Sequence, residues 1–409
     1  MNDLEDKDKD PMMRGLTGTY TTSRNSGEVV RAFRPADLPP APPIEWTGDR
    51  QRRLERATLA LGRLDAVSTL LPDTTLFLYS YVRREAVLSS QIEGTQSSLS
   101  DLLMFELDVA PGVPLDDVVE VSNYVAAMEH GLARLQGGFP LSNRLIREMH
   151  GLLLASGRGS RKEPGEFRRS QNWIGGTRPG NAAFVPPAPA DVESCMGSLE
   201  LFLHAPEPGV PELVRAALVH VQFETIHPFL DGNGRVGRLL IPVMLASAGI
   251  LRQPLLYLSL FFREHRDEYY GLLGQVRTEG DWEAWVDFFL EGVEQTASGA
   301  VATANGLLEL MRADRARVAG LRRSASAAAR LFSALCERPV ASIADAAARL
   351  GVSLPTATRG IDALAGLGIV SEVTGRQRNR FYAYDEYLSI LTRESAASAR
   401  TAADEGSRA

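Results

Sequence analysis

One run of twelve residues, His227-Pro228-Phe229-Leu230-Asp231-Gly232-Asn233-Gly234-Arg235-Val236-Gly237-Arg238, constrains how the middle of this chain can fold. Upstream, Leu213 to Ile226 is apolar on most sides and reads as a buried helix, which Pro228 forbids from continuing. Downstream, a helical pattern resumes from Arg235 to Ser247, with Asn233 as its expected cap and Gly249 just past its end. The run is therefore a glycine turn between two helices, with His227 at the exit of the first.

That geometry favours anions, because the first N–H groups of a helix have no internal partner and carry the positive end of its dipole. Gly232 and Gly234 let backbone approach phosphate oxygens, while Arg235 and Arg238 project from one face of the first turn and suit a polyphosphate. Asp231 is placed to hold Mg²⁺ against the same phosphates. His227, with an ordinary pKa near ~6.5, is a candidate base for an attacking hydroxyl.

Competing readings fail on spacing. GNGRVG matches G-x-G-x-x-G formally, but a helix precedes it, and no Asp or Glu lies between Arg238 and Arg263 to meet a ribose. An EF-hand counted from Asp231 would need oxygen ligands where Arg235 and Pro242 stand. The only lysines are Lys7, Lys9 and Lys162, so no lysine follows a glycine loop as a Walker A or kinase site requires.

HPFLDGNGRVGR resembles, at every position, the Fic family signature HxFx(D/E)GNGRxxR. The resemblance implies transfer of AMP from ATP to a Tyr, Ser or Thr hydroxyl of a protein. It further implies that His227 is the base, Asp231 the Mg²⁺ ligand, and Asn233 with the Gly232 to Gly234 backbone the α-phosphate hole. Arg235 and Arg238 become the β- and γ-phosphate contacts. Ser89-Ser90-Gln91-Ile92-Glu93-Gly94 resembles the family's inhibitory motif (S/T)xxxE(G/N), whose glutamate, here Glu93, pairs with the second arginine, Arg238. Glu93 closes a helix running through LFLYSYVRREAVLSSQI, where a carboxylate faces the negative end of the dipole and calls for a compensating partner.

The rest of the chain reads as helices with three exceptions. Met1 to Ile44, with its proline cluster, is expected to be an extended arm lying on the body or a partly disordered tail. Gln171 to Pro189 carries two short apolar arms around Gly175-Gly176, a hairpin pattern; by resemblance Ile174, Gly175 and Gly176 belong to a flap that holds the target as an added strand, the alternative being a surface hairpin. Ser342 to Tyr387 resembles a winged helix-turn-helix, in which Thr356, Thr358 and Arg359 would face a DNA groove and Arg376, Arg378 and Arg380 the phosphates, or else a protein-interaction module. Thr296 to Arg323 reads as an exposed linking helix. Tyr270 falls where relatives contact adenine, although a paired tyrosine on a helix equally suits a core, and His150 and His220 read as satisfied core histidines.

Composition bounds the remainder. A formal net charge of −7 excludes a chain dominated by nucleic-acid binding while leaving room for a local basic patch. Two distant cysteines, Cys195 and Cys336, suit a reducing cytosol, and no signal peptide or membrane span is read. The expected fold is mainly α. Residues 1–44 form the arm, 45–135 an N-terminal region with the inhibitory helix, 136–295 a Fic catalytic core with a β-hairpin flap, 296–323 the linking helix, 324–395 the winged helix and 396–409 a tail. The expected activity is a cytoplasmic protein adenylyltransferase restrained by Glu93, using ATP and Mg²⁺, with a hydroxyl-bearing protein or the chain itself as candidate target, and with DNA and a second copy of the chain, as a homodimer, as candidate partners. The alternatives are removal of AMP by the same site and a DNA-bound regulator that senses nucleotide.

Overall fold

The computed structural model describes residues 14–25, 28–70, 74–107, 113–205, 209–321, 325–375 and 380–392. Its centre is a helix buried at every position from Leu213 onward, Glu212–Ile226, as expected for a segment apolar all round. In chain order the elements begin with strands β1 (Gly18–Asn25) and β2 (Glu28–Pro35), then α1 (Gly48–Leu70), α2 (Thr74–Ile92), α3 (Leu99–Phe105), α4 (Leu115–Gln136) and α5 (Asn143–Leu153). After these come α6 (Pro189–His204), the central α7 (Glu212–Ile226), α8 (Asn233–Ser247), α9 (Ser259–Glu264), α10 (Arg266–Glu279) and α11 (Trp282–Ala319). The last group is α12 (Ala325–Glu337), β3 (Val340–Ser342), α13 (Ile343–Leu350), α14 (Leu354–Gly366), β4 (Ser371–Glu372) and β5 (Phe381–Ala383).

Around α7, helices α6, α8, α10 and α11 close a core that extends without interruption from Ala57 on α1 to Leu391 near the C-terminus. Helix α1 lies along α11, joined by Arg50–Asp287, Arg53–Glu291 and Arg56–Glu294. Their residue numbers rise together in steps of one helical turn, so the two helices run parallel. Strands β3, β5 and β4 form an antiparallel sheet with β5 central. The sheet is tied to α11 by the Tyr384 hydroxyl, which donates to buried Asp314 at 2.7 Å. No helix among the described residues is long and apolar enough to cross a membrane.

The structure corrects two expectations and gives two others definite form. The N-terminal arm lies on the body as paired strands, β1 and β2 in register from Gly18↔Pro35 to Asn25↔Glu28. The threonines and valines of these segments favour a pleated strand once a surface exists to cover, and Val30 and Ala32 bury against Val185. Asn233 does not cap α8: left-handed Gly232 is the N-cap residue, and Asn233 is the first residue of the helix. Thr296 opens no separate linker, since α11 continues unbroken for 38 residues and buries Ala297, Ala300, Ala304 and Leu307. The expected hairpin flap is present, joined by a single bridge, Ile174↔Phe184, with a 3₁₀ turn at Pro179–Asn181 between its arms. Val185 hydrogen-bonds across to β2 instead, accepting from Phe33 N–H at 2.9 Å.

Candidate active site

Helix α7 stops where Pro228 excludes the helical conformation from the residue before it. His227 consequently adopts left-handed backbone angles, φ 50° and ψ 59°. Such a conformation costs a non-glycine residue about 1–2 kcal/mol and must be held. The holder is Arg168, a residue the sequence reading passed over. Its buried guanidinium donates to the carbonyls of His227 at 2.9 Å, Pro187 at 2.6 Å and Ile226 at 3.4 Å, a cation on the electronegative end of α7. Burial pulls its pKa down to about 10, which still leaves it charged. The His227 imidazole donates from Nδ1 to the Glu224 carbonyl at 3.3 Å, since a carbonyl can only accept, and this leaves the Nε2 lone pair free of the proton. Burial lowers its pKa to about 4, so it is a neutral base at physiological pH.

The turn that follows is cinched by side chains. Asn233 accepts from Phe229 N–H at 2.8 Å and donates to the Phe229 carbonyl at 2.9 Å, closing Phe229 to Asn233 into a ring. Phe229 stacks on His150 with ring centroids 3.7 Å apart. His150 donates from Nε2 to the Asp231 carbonyl at 3.0 Å and accepts from Gly165 N–H at 2.8 Å, so it is the satisfied core histidine expected. His220 is likewise spent, donating to Gly237 O and meeting the Tyr269 hydroxyl at 2.8 Å. Gly232, at φ +76°, turns the chain into α8, whose N-terminus has no side-chain cap and so offers its first amides as donors. The Asp231 carboxylate, 40% exposed, accepts from Gly232 N–H at 2.6 Å through Oδ1, and its Oδ2 lies against Gly159. Among the described residues no three His, Cys, Asp or Glu gather as a metal cage. A single exposed carboxylate can carry Mg²⁺ where phosphate oxygens and water supply the remaining ligands.

Both arginines of the motif are engaged by carboxylates from other helices. Arg238, 2% exposed, donates from Nη2 to Glu93 Oε1 at 2.7 Å and to the Ser89 carbonyl at 3.0 Å, and from Nε to Ser89 Oγ at 2.8 Å. Glu93 lies just past the end of α2, where Gly94 at φ +96° turns the chain away. Its carboxylate reaches over Gly234 so closely that a Cβ there would sit 2.4 Å from Glu93 Oε1. A negatively charged oxygen thus already stands against the first turn of α8. Burial opposes that charge and Arg238 outweighs it, so the carboxyl lies below its usual range. Arg235 donates to Glu120 Oε2 of α4 at 3.1 Å and lies 3.5 Å from Asp231 Oδ1, while its buried Nε has no partner. Glu120 also accepts from Arg158 at 2.6 Å.

A second carboxylate escaped the sequence reading. Glu224, one turn before His227 on α7, is buried beneath Gly237, where a Cβ would come within 2.3 Å of its Oε1. Burial raises its pKa to about 7, and Oε1 is unpartnered. Its signal in the sequence was a charged residue inside an otherwise apolar helix.

The flap glycines Gly175 and Gly176 both have positive φ, at 67° and 72°, and are exposed, with Ile174 half-buried at the single bridge. Phe184 on the opposite arm is covered by the Arg277 guanidinium, 4.0 Å from its ring centroid. Of the tyrosine pair, Tyr269 belongs to the core and Tyr270 is 40% exposed beside Arg266. At the C-terminal sheet Arg359 and Arg380 are exposed, Thr356 and Thr358 half-buried, and Arg376 and Arg378 lie outside the described residues.

Comparison with known proteins places this geometry in a family context. Residues 51–133 match the Fic/DOC family N-terminal region and residues 140–245 match the Fic/DOC family. The protein adenylyltransferase Fic of Aedes aegypti is 34% identical over 256 residues, 60% of this chain and 47% of its own length. That of Culex quinquefasciatus is 35% identical over the same extent. The chain thus spans about half the length of the curated relatives it matches. In fold, a Fic family protein from Desulfovibrio desulfuricans G20 superposes with a TM-score of 0.56 at 21% identity, covering 84% of this chain and 98% of the other. A Fic domain containing signaling protein from Bacteroides thetaiotaomicron does so with a TM-score of 0.50 at 20% identity, covering 62% and 97%.

Proposed function

We propose that this chain, which carries Fic N-terminal and Fic domains, transfers AMP from ATP to a hydroxyl of a protein and is restrained by Glu93. The observation that carries the reading is the Glu93 carboxylate gripping Arg238 above Gly234, at the helix N-terminus that follows a neutral His227. In the released state Arg238 and Arg235 hold the outer phosphates, and the Gly232 to Gly234 amides hold the inner one. Mg²⁺, carried by Asp231, would supply neutralisation of the phosphate charge. His227 Nε2 takes the proton as the target oxygen bonds to the α-phosphorus, and the bond from that phosphorus to the bridging oxygen breaks to release pyrophosphate. The flap, with Ile174, Gly175 and Gly176 at its tip, offers main-chain groups on which a target segment can align.

While Glu93 holds Arg238, ATP phosphates meet a carboxylate in place of a guanidinium, and positioning fails before chemistry starts. The same carboxylate lies within electrostatic reach of His227, which supports a second reading in which Glu93 orients water and the site removes AMP from modified proteins. Incubation of wild type and Glu93→Gly with labelled ATP and a cell lysate tests the reading. AMP on protein with the mutant, and little with wild type, is expected. No AMP on any protein from a folded mutant would sink it; release of AMP from modified proteins would favour the second reading.

The helices α12 to α14 with the β3–β5–β4 sheet support a winged-helix reading of the C-terminal unit, in which Arg359 and Arg380 give DNA a weak electrostatic hold. The full chain is expected to retard duplex DNA at low ionic strength and to lose it with added salt. Retardation that ignores salt, or none at all, would turn the unit into a protein-interaction surface.

A further inference from the structure

Helix α2 has a second busy face. Between α2, α9 and α11 lies a cavity of about 300 Å³. Tyr81, Arg84, Glu85 and Leu88 line it from α2, at the spacing of one helical stripe. Tyr257 and Phe261 face them, and α11 contributes Gly299 and Ala302, whose small size keeps the space open. The walls are mainly rings and aliphatic carbon, yet two of their polar atoms have no hydrogen-bond partner: Glu85 Oε2 and the Tyr257 hydroxyl. Those residues are 2% and 4% exposed. Buried polar groups are normally satisfied, and each orphan costs about 1–3 kcal/mol. Two orphans in one ring-walled cavity of ligand size mark a binding site more readily than a packing defect.

The polar pair also selects the ligand. Glu85 Oε2 can accept a donor, and the Tyr257 hydroxyl can donate to an acceptor. Arg84 and Glu264 in the same wall offset one another, and the mainly apolar surroundings disfavour any net charge on a ligand. We propose that this cavity binds a small neutral ring compound with a carboxamide-like edge, its N–H on Glu85 and its carbonyl on Tyr257, and that the bound compound tightens the Glu93 grip on Arg238.

The coupling half rests on the autoinhibited-transferase reading. Glu85, Ser89 and Glu93 recur every four residues along one side of the α2 segment. Glu85 Oε1 accepts from the Tyr124 hydroxyl at 3.1 Å, Tyr124 is hydrogen-bonded to Ser89, and Ser89 Oγ accepts from Arg238. A ligand that fits the cavity while this chain of contacts is intact binds the clamped state best and shifts the population toward it.

Benzamide is the probe, with toluene as the ring alone and benzylammonium as the cation. In full-length protein carrying labelled tyrosines, benzamide is expected to shift the Tyr81 and Tyr257 resonances saturably at millimolar concentration. Tyr257→Phe should weaken binding about tenfold, a loss of ~1.4 kcal/mol. Ala302→Trp, an addition at an exposed position of α11, should abolish it without disturbing the fold. AMP incorporation by wild type should fall about fivefold or more at saturation, with Glu93→Gly unresponsive. No saturable binding, which leaves the cavity to water, would overturn the site, as would equal binding by both variants. Toluene or benzylammonium binding as tightly as benzamide would overturn the polar assignment. Binding with an equal effect on wild type and Glu93→Gly would overturn the coupling. If benzamide binds as described but neither protein transfers AMP, the transferase reading fails and the site stands; transfer without binding gives the reverse.

Discussion

Arg235 and Arg238 sit one turn apart on α8, and each is held by a glutamate from another helix, but the two grips are built differently. Glu120 comes from the second turn of α4, is 4% exposed at its side chain, and is shared between Arg235 and Arg158. Glu93 lies just past the end of α2, is 37% exposed at its side chain, and holds Arg238 with one oxygen. A carboxylate in a helix interior with two cationic partners can leave only if the packing opens, whereas one at a helix exit beside a glycine can leave by a small change of backbone. On the proposed reading the difference separates a scaffold from a latch, with Glu120 positioning Arg235 and Glu93 withholding Arg238.

The largest test removes chemistry from both. If the two arginines only hold phosphate, adding His227→Ala to Glu93→Gly should lower AMP transfer about 10²–10⁴-fold while calorimetric ATP affinity stays put. A parallel loss of affinity would mean that His227 shares the arginines' task. Next, Glu120→Ala strands a buried guanidinium and should cost on the order of 3 kcal/mol of stability, seen as a lower urea midpoint. Should it instead leave stability alone and raise AMP transfer, Glu120 would be a second latch and the contrast would collapse. Glu93→Gly should raise incorporation by about an order of magnitude, equivalent to ~1.4 kcal/mol, and Glu93→Gly/Arg238→Ala should fall back. Equal rates for wild type and Glu93→Gly, both folded by circular dichroism, would reduce Glu93 to a helix-end residue.

The smallest effect concerns pH. Glu93 has a lowered pKa, so its contribution to the clamp is present above the ordinary carboxylate range and fades only as pH falls through the lowered value; mild acid does not open the latch. His227, lowered to about 4 by burial, stays an unprotonated base until well below neutrality. Measured in Glu93→Gly/Glu224→Gln, which removes the carboxyl that titrates at about 7, the rate should not fall as pH drops past the usual histidine value of ~6.5. A limb there would show that His227 is solvated in the working enzyme.

Much of the site was legible because its residues are neighbours in sequence. The twelve-residue run places a base, a carboxylate, glycines and two arginines on one turn, and only chain connectivity is needed to bring them together. Glu93 was legible for a different reason: a carboxylate at the negative end of a helix calls for a compensating partner, and the resemblance to the inhibitory motif names Arg238. Helix ends marked by Gly94, Gly249 and Gly280 were equally local, since each terminates its helix through a positive φ. Asn233 misled because a polar residue before a helix resembles a cap, whereas its side chain serves the turn behind it.

What only the tertiary structure decided involves partners far apart in the chain. Arg235 meets a glutamate 115 residues away, and Arg168 reaches the carbonyl of His227 across 59. No periodicity encodes either pairing, because a charged residue on a helix face reads as solvated until another helix covers it. The N-terminal strand pair is of the same kind: its segments carry no strong apolar pattern, and they acquire a buried side where Val30 and Ala32 meet Val185 beside the flap. Local chemistry, then, was written in the order of residues. The identity of the group that holds Arg235 was settled by packing, since burial is what makes an unpaired guanidinium costly and compels it to find a partner.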